Sequence, residues 1–142
     1  MLFILVMDIL NCMVEKANSK GLLQLLATRN IHHRVSIYAD DVVLFLRPVA
    51  TDLRMVEDLL WLFGSSTGLK TNIQKSSVMP IQCSEDELIV VQAHLPCEVQ
   101  SFPCKYLGLP LSIKKLIRAQ LQPIIDKIAE KLPGWKARGG QI

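Results

Sequence analysis

The sequence predicts an α+β fold for its 142 residues, and three patterns carry this prediction. Apolar residues recur at a helical spacing between residues 2 and 17, and again from Leu53 to Phe63. Two runs rich in β-branched and aromatic residues flank the adjacent acids Asp40 and Asp41, which is typical of a β-hairpin. Half of the residues are hydrophobic, so the chain can bury a core.

The first half of the chain has clear boundary signals. The first helix is expected to end at the polar stretch 18–21, and residues 22–26 favour a strand or a turn. The hairpin strands are expected at about residues 34–38 and 41–46, with Asp40 at or beside the turn. For the second helix, Thr51 is the predicted N-cap and Gly64 the predicted stop.

Residues 69–94 are predicted to contain a strand-like passage followed by a helix. Residues 69–81 resemble a strand-like passage. Ser84 and Glu87 then have the spacing of a capping box, which predicts a helix running to about His94.

Two further elements are predicted near the end of the chain. Residues 102–111 indicate a second hairpin with Gly108 near its centre. A last helix is expected from about Arg118, with Pro123 close to its first turn and Pro133-Gly134 at its end.

The charge is distributed unevenly. Residues 1–104 carry 8 basic and 11 acidic side chains, a net charge of −3, and residues 105–142 carry 8 and 2, a net charge of +6. A basic C-terminal third suits a polyanionic partner, although a solvated helix face is the commoner explanation for such lysines.

Several site and membrane classes are disfavoured. The chain has no apolar run of about 18 residues, so no membrane span or membrane partner is expected, and its start lacks the features of a signal peptide. The four cysteines lack C-x-x-C spacing and are expected to be thiols rather than a disulfide framework. A zinc site would need an irregular set of ligands, namely Cys83, His94, Cys97 and Cys104.

Asp40 and Asp41 are the strongest candidates for chemistry. Carboxylates this close repel each other unless a cation or a proton lies between them. Oxygen ligands of this kind suit Mg²⁺, which is often held by one or two carboxylates together with substrate phosphates. The alternative is an ordinary solvent-exposed turn, in which Asp is common.

Five segments, in order, resemble the reverse transcriptase of plant non-LTR (LINE-type) retrotransposons. Residues 2–10 are similar to the tail of the family's B motif, and Tyr38-Ala39-Asp40-Asp41 is similar to its C motif. Residues 68–76 are similar to the D motif and residues 105–111 to the E motif, while residues 132–136 resemble the start of the thumb.

The resemblance implies a partial polymerase palm over residues 1–112, in which helices pack on the hairpin, and the start of the thumb or connection over 113–142. It implies nucleotidyl transfer with an RNA template, a DNA primer, dNTPs and Mg²⁺ or Mn²⁺ as partners. Asp40 and Asp41 would ligate the metal, Tyr38 would pack beside the nucleotide, and Lys75 would contact phosphates or protonate pyrophosphate. Four residues of the E-motif match would grip the primer, namely Lys105, Tyr106, Leu107 and Gly108.

The family's A motif supplies a third essential aspartate upstream of the B motif, and Met1 falls inside the helix that corresponds to the B motif. The expectation is therefore a fragment that is inactive alone and that binds Mg²⁺ or Mn²⁺ weakly or not at all. Two alternatives stay open: a polymerase fragment completed by another chain, and a non-enzymatic nucleic-acid-binding remnant that uses the basic C-terminal third.

Overall fold

The computed structural model describes residues 2–26, 31 and 33–132, and they form the predicted mixture of helices and short sheets. The α-helices are α1 (Leu2–Ser19), α2 (Ala50–Thr67), α3 (Glu85–His94) and α4 (Arg118–Lys131). The strands are β1 (Val35–Tyr38), β2 (Asp41–Leu44), β3 (Ser77–Val78), β4 (Glu98–Val99), β5 (Cys104–Tyr106) and β6 (Leu109–Leu111). The chain divides into two compact units, Met1–Val99 and Gln100–Ile142.

The strands pair two by two. Strands β1 and β2 are antiparallel, with Val35 opposite Leu44 and Tyr38 opposite Asp41, so the predicted first hairpin is confirmed. Strands β3 and β4 are parallel and only two residues long. Strands β5 and β6 are antiparallel, which confirms the second predicted hairpin.

The core of the first unit lies between α1, α2 and the inner face of the β1–β2 hairpin. Helix α1 contributes one helical face because its buried residues recur every three to four positions. The buried residues of this cluster are Met7, Leu10, Val14, Ala17, Leu23, Val56 and Phe63. The half-buried side chains of Val35, Ile37, Val42 and Leu44 pack against it from the hairpin. Because Leu10 is 3% exposed, Leu10→Ala would cost about 2–5 kcal/mol of unfolding free energy.

Both predicted boundaries of α2 are wrong. The helix begins at Ala50 after Val49, which provides no side-chain cap, and Thr51 already lies inside it. It passes through Gly64 and ends at Thr67. Gly68 then adopts a φ of 78°, and its N–H donates to the Gly64 carbonyl at 2.8 Å. A helix C-terminus favours glycine in this left-handed conformation, and Gly68 rather than Gly64 supplies it.

The strand expected over residues 69–81 is largely absent. A short 3₁₀ helix, Ile73–Lys75, and the two residues of β3 replace it. The side chain of Asn72 accepts the Lys75 N–H at 3.2 Å, so a local bond to a side chain competes with an extended backbone. No strand forms among the described residues 22–26 either.

Helix α3 begins as predicted. The Ser84 hydroxyl accepts the Glu87 N–H at 3.2 Å, and the Glu87 carboxylate accepts the Ser84 N–H at 2.9 Å. The helix ends at His94, whose Nδ1 lies 3.0 Å from Glu57 Oε2 on α2. The capping box therefore sets one end of α3, and a polar contact with α2 holds the other.

In the second unit, α4 packs against β6. The helix starts at the predicted Arg118, where the Gln120 side chain accepts the Ile117 N–H at 3.1 Å. Pro123 is its sixth residue, close to the first turn as predicted but beyond it, so its missing N–H removes one helical hydrogen bond. The predicted stop at Pro133-Gly134 lies outside the described residues.

No helix within the described ranges has the length and apolar character needed to span a membrane. Cys12, Cys83 and Cys97 are free thiols, as expected. No cluster of three or more metal-ligating side chains occurs in the described part of the chain, and the zinc alternative gains no support there.

Candidate functional site

The tip of the β1–β2 hairpin presents the two predicted carboxylates. Tyr38 and Asp41 pair directly, which leaves Ala39 and Asp40 as a two-residue loop. Directly paired residues share one face of a sheet, so Tyr38 and Asp41 both lie on the face away from the core. Both are exposed, as is Asp40. The structure therefore brings Tyr38, Asp40 and Asp41 together at one accessible tip.

The tip contains a strained residue. Ala39 has a φ of 52°, in the left-handed region that a residue with a Cβ rarely adopts. Strain of this kind is held in place by the surrounding structure and clusters at functional sites. Here it directly precedes the two carboxylates and allows the chain to reverse in two residues.

The carboxylates of Asp40 and Asp41 have no hydrogen-bonding or ion-pair partner among the described residues. Their mutual repulsion is therefore not relieved by a protein cation in this part of the chain. Carboxylate oxygens are the donors that Mg²⁺ and Mn²⁺ prefer, so the donor chemistry fits a hard divalent cation. Two adjacent side chains provide only part of the coordination that such an ion requires.

Lys75 is not joined to this pair. It is the last residue of the 3₁₀ helix, and its side chain is exposed. No salt bridge connects it to Asp40 or Asp41 within the described ranges. The structure places Lys75 on a separate, locally capped turn, and its predicted role with phosphates stays a prediction.

The four predicted primer-grip residues lie in the second unit, at the turn of the β5–β6 hairpin. Leu107 and Gly108 form this turn with φ values of 53° and 77°. Lys105 is exposed, whereas Tyr106 is half-buried and its hydroxyl is buried without a hydrogen-bond partner among the described residues. As at Ala39, a residue with a side chain, here Leu107, occupies the left-handed region at a hairpin tip.

One polar feature was missed by the sequence analysis. Arg34 and Asp52 are 2% and 0% exposed, and both connect to the backbone of Gln24. Strand alternation places Arg34 on the same face as the exposed Ser36 and Tyr38, so a solvated side chain was the natural expectation. The available signal was a lone arginine directly before an apolar strand, with an aspartate in the first turn of the following helix.

No protein-family model matches this chain, and no solved structure matches it.

Proposed function

We propose that this chain is part of an RNA-directed DNA polymerase of the plant non-LTR (LINE-type) class. In this proposal, residues 1–112 are a partial palm subdomain and residues 113–142 begin the thumb. The single observation that carries the proposal is the hairpin tip, where a strained two-residue turn exposes adjacent carboxylates on a hairpin anchored in an apolar core. The order of the five matching segments supports it.

The proposed reaction is transfer of a nucleotide to a primer 3′-hydroxyl, with pyrophosphate as the leaving group. Bound Mg²⁺ or Mn²⁺ would supply Lewis-acid chemistry at the attacking and leaving oxygens. Asp40 and Asp41 would hold the metal through their carboxylate oxygens, and Tyr38, on the same face as Asp41, would pack beside the nucleotide. Lys75 would contact the phosphates or donate a proton to the leaving pyrophosphate.

We further propose that these 142 residues do not extend a primer by themselves. The described residues bring no third carboxylate to Asp40 and Asp41, and the family reaction needs one. Removing a metal ligand takes away electrostatic stabilisation that is often worth several kcal/mol, and each 1.36 kcal/mol changes the rate tenfold. The third ligand would come from another segment or another chain.

Paramagnetic Mn²⁺ tests the metal site directly. At millimolar Mn²⁺ we expect selective broadening of the backbone amide NMR signals of residues 38–42, which should fall in Asp40→Asn and Asp41→Asn. The chain offers an internal control in Glu85 and Asp86, an adjacent exposed acidic pair in the first turn of α3. Equal or stronger broadening at the control pair would count against a metal site at the hairpin.

Primer extension on an RNA template tests the polymerase assignment. The comparison is between the 142-residue chain and a longer chain that adds an A-motif segment before residue 1, each with and without Asp40→Ala. We expect incorporation only by the longer chain with Asp40 intact. Asp40-dependent incorporation by the short chain would overturn its inactivity, and an inactive longer chain would weigh against the polymerase.

A second candidate function is nucleic-acid binding without catalysis. It is favoured by the exposure of six basic side chains in the second unit, namely Lys105, Lys114, Lys115, Arg118, Lys127 and Lys131. Binding of a single-stranded oligonucleotide should weaken steeply with salt, and Lys127→Glu with Lys131→Glu should flatten that dependence. Lys16→Glu with Lys20→Glu in the first unit is the matched control. Salt-sensitive binding by a longer chain that incorporates no nucleotide would favour this candidate.

A further inference from the structure

The buried charged residues of the described chain are Arg34 and Asp52. Asp52 lies in the first turn of α2, and Arg34 directly precedes β1. Burial lowers the pKa of the Arg34 guanidinium, and the negative charge of Asp52 opposes this change. Charged side chains removed from water cost free energy unless other groups compensate them, so the contacts of these two residues need an explanation.

The backbone of Gln24 bridges the two side chains. Its N–H donates to both carboxylate oxygens of Asp52, at 3.1 and 3.2 Å. Its carbonyl accepts a hydrogen bond from Nη2 of Arg34. The chain Arg34–Gln24–Asp52, which we call the polar brace, thus joins the segment after α1, the start of the hairpin and the first turn of α2.

The brace is continuous with the hairpin ladder. The Arg34 carbonyl accepts the Phe45 N–H at 2.9 Å. This bond adds one backbone hydrogen bond to the hairpin next to the pair of Val35 and Leu44. The backbone of Arg34 therefore belongs to the base of the hairpin, while its side chain is fixed to Gln24. A rotation of the hairpin on the core would therefore have to break the Arg34–Gln24 bond or displace Gln24, whose N–H is bound to Asp52.

Apolar packing alone would hold the hairpin less specifically. The inner residues Val35, Ile37, Val42 and Leu44 pack against the core, but hydrophobic burial is non-directional. Hydrogen bonds are directional, and those to charged groups are the stronger ones. Arg34 and Asp52 form no salt bridge with each other, and Nε and Nη1 of Arg34 are buried without a hydrogen-bond partner among the described residues, so the brace adds little net stability. Orientation is therefore the property that the brace can supply and packing cannot.

We propose that Arg34 is a positioning residue, which through Gln24 and Asp52 sets the orientation of the Asp40–Asp41 hairpin relative to α1 and α2. Its relevance to metal binding rests on the function proposed above. The orientation itself does not depend on that function and can be measured without metal.

The test compares the full chain with Asp52→Asn, Arg34→Lys and the apolar pair Arg34→Met with Asp52→Leu. Residual dipolar couplings report whether the hairpin amides share one orientation with the amides of α1 and α2. Hydrogen exchange of the Phe45 amide reports local opening at the base of the hairpin. Arg54→Met, an exposed arginine on α2, is the matched control.

In Asp52→Asn and the apolar pair we expect the hairpin to lose its fixed orientation relative to α1 and α2. The exchange rate of the Phe45 amide should rise roughly tenfold relative to that of the Val14 amide in α1. Thermal unfolding of the apolar pair should stay near that of the parent chain. Arg34→Lys keeps the charge and a donor, so it should retain the parent couplings. Parent-like couplings in Asp52→Asn would overturn the proposal even if the apolar pair failed to fold.

Mn²⁺ broadening of residues 38–42 separates this proposal from the proposed function. If the parent chain shows no selective broadening and the hairpin of Asp52→Asn loses its orientation, the proposed metal site is refuted and the proposal for the brace is supported. If the parent chain shows selective broadening and the hairpin of Asp52→Asn keeps its orientation, the proposal for the brace is refuted and the metal site is supported.

Discussion

Replacement of Ala39 by glycine should stabilise the protein, and the expected size follows from the backbone. Ala39 has a φ of 52°, and a residue with a Cβ loses about 1–2 kcal/mol in this region. Glycine removes that strain but costs about 0.5–1 kcal/mol more in backbone entropy. Ala39 is exposed, so no buried contact is lost. The midpoints of the two ranges leave a net gain of about 0.75 kcal/mol, which corresponds to a rise of roughly 3–6 °C in Tm for a domain of about 100 residues.

Thermal unfolding followed by far-ultraviolet circular dichroism measures this change. Ala93→Gly is the matched control, since Ala93 is exposed but lies inside α3. There the same substitution should cost about 0.5–1 kcal/mol in helix propensity and lower the Tm. Opposite signs at the two positions support strain at the hairpin tip. An unchanged or lower Tm for Ala39→Gly, beside the expected loss in Ala93→Gly, would refute the reasoning.

Three further predictions concern the capping box and the second hairpin. The backbone N–H of Ser84 donates to the Glu87 carboxylate and lowers the pKa of Glu87. The stability that this bond contributes is present above the ordinary pKa of 4.5 and is lost as the pH falls through the lower folded value. In urea titrations Glu87→Gln should remove this pH dependence, whereas Ser84→Ala, which keeps the backbone N–H, should cost about 0.5–2 kcal/mol and retain most of it. Burial and then the charge of Glu87 raise the pKa of the Cys83 thiol, so Glu87→Gln should speed iodoacetamide labelling of Cys83 near pH 8, whereas Glu85→Gln should not. Leu107→Asn should raise the melting temperature of the β5–β6 hairpin, followed through its NMR signals, because asparagine tolerates the left-handed conformation better than leucine. A lower melting temperature would show that the packing of the leucine side chain outweighs the strain.

The local elements could be predicted from the sequence because their signals lie within a few residues. The hairpin around Asp40 follows from alternating apolar residues beside a turn, and the start of α3 follows from the spacing of Ser84 and Glu87. The accessible position of Asp40 and Asp41 followed from the same local pattern. None of these features needs a contact from a distant part of the chain.

The remaining features depend on contacts between distant residues. A glycine inside a helix costs only about 1 kcal/mol of helix stability. Burial of the adjacent Phe63 contributes more free energy than this cost, so α2 continues beyond Gly64. The pairing of β3 with β4 joins Ser77 to Glu98 through two residues a strand, which is too short for a pattern to show. The burial of Arg34 contradicts strand alternation because its partner Gln24 lies in an irregular segment.

The polar brace also has a consequence for the order of folding. The hairpin closes through a two-residue loop, and hairpins form in about 1–10 μs. The contact of Arg34 with Gln24 spans 10 residues, and that of Gln24 with Asp52 spans 28. Loop closure makes the second contact about 0.9 kcal/mol costlier in entropy than the first. We therefore expect that pulse-labelling hydrogen exchange detects protection of the Phe45 amide before protection of the Gln24 amide. The register of the hairpin would then be set before its orientation on the core. Simultaneous protection of the two amides would contradict this order.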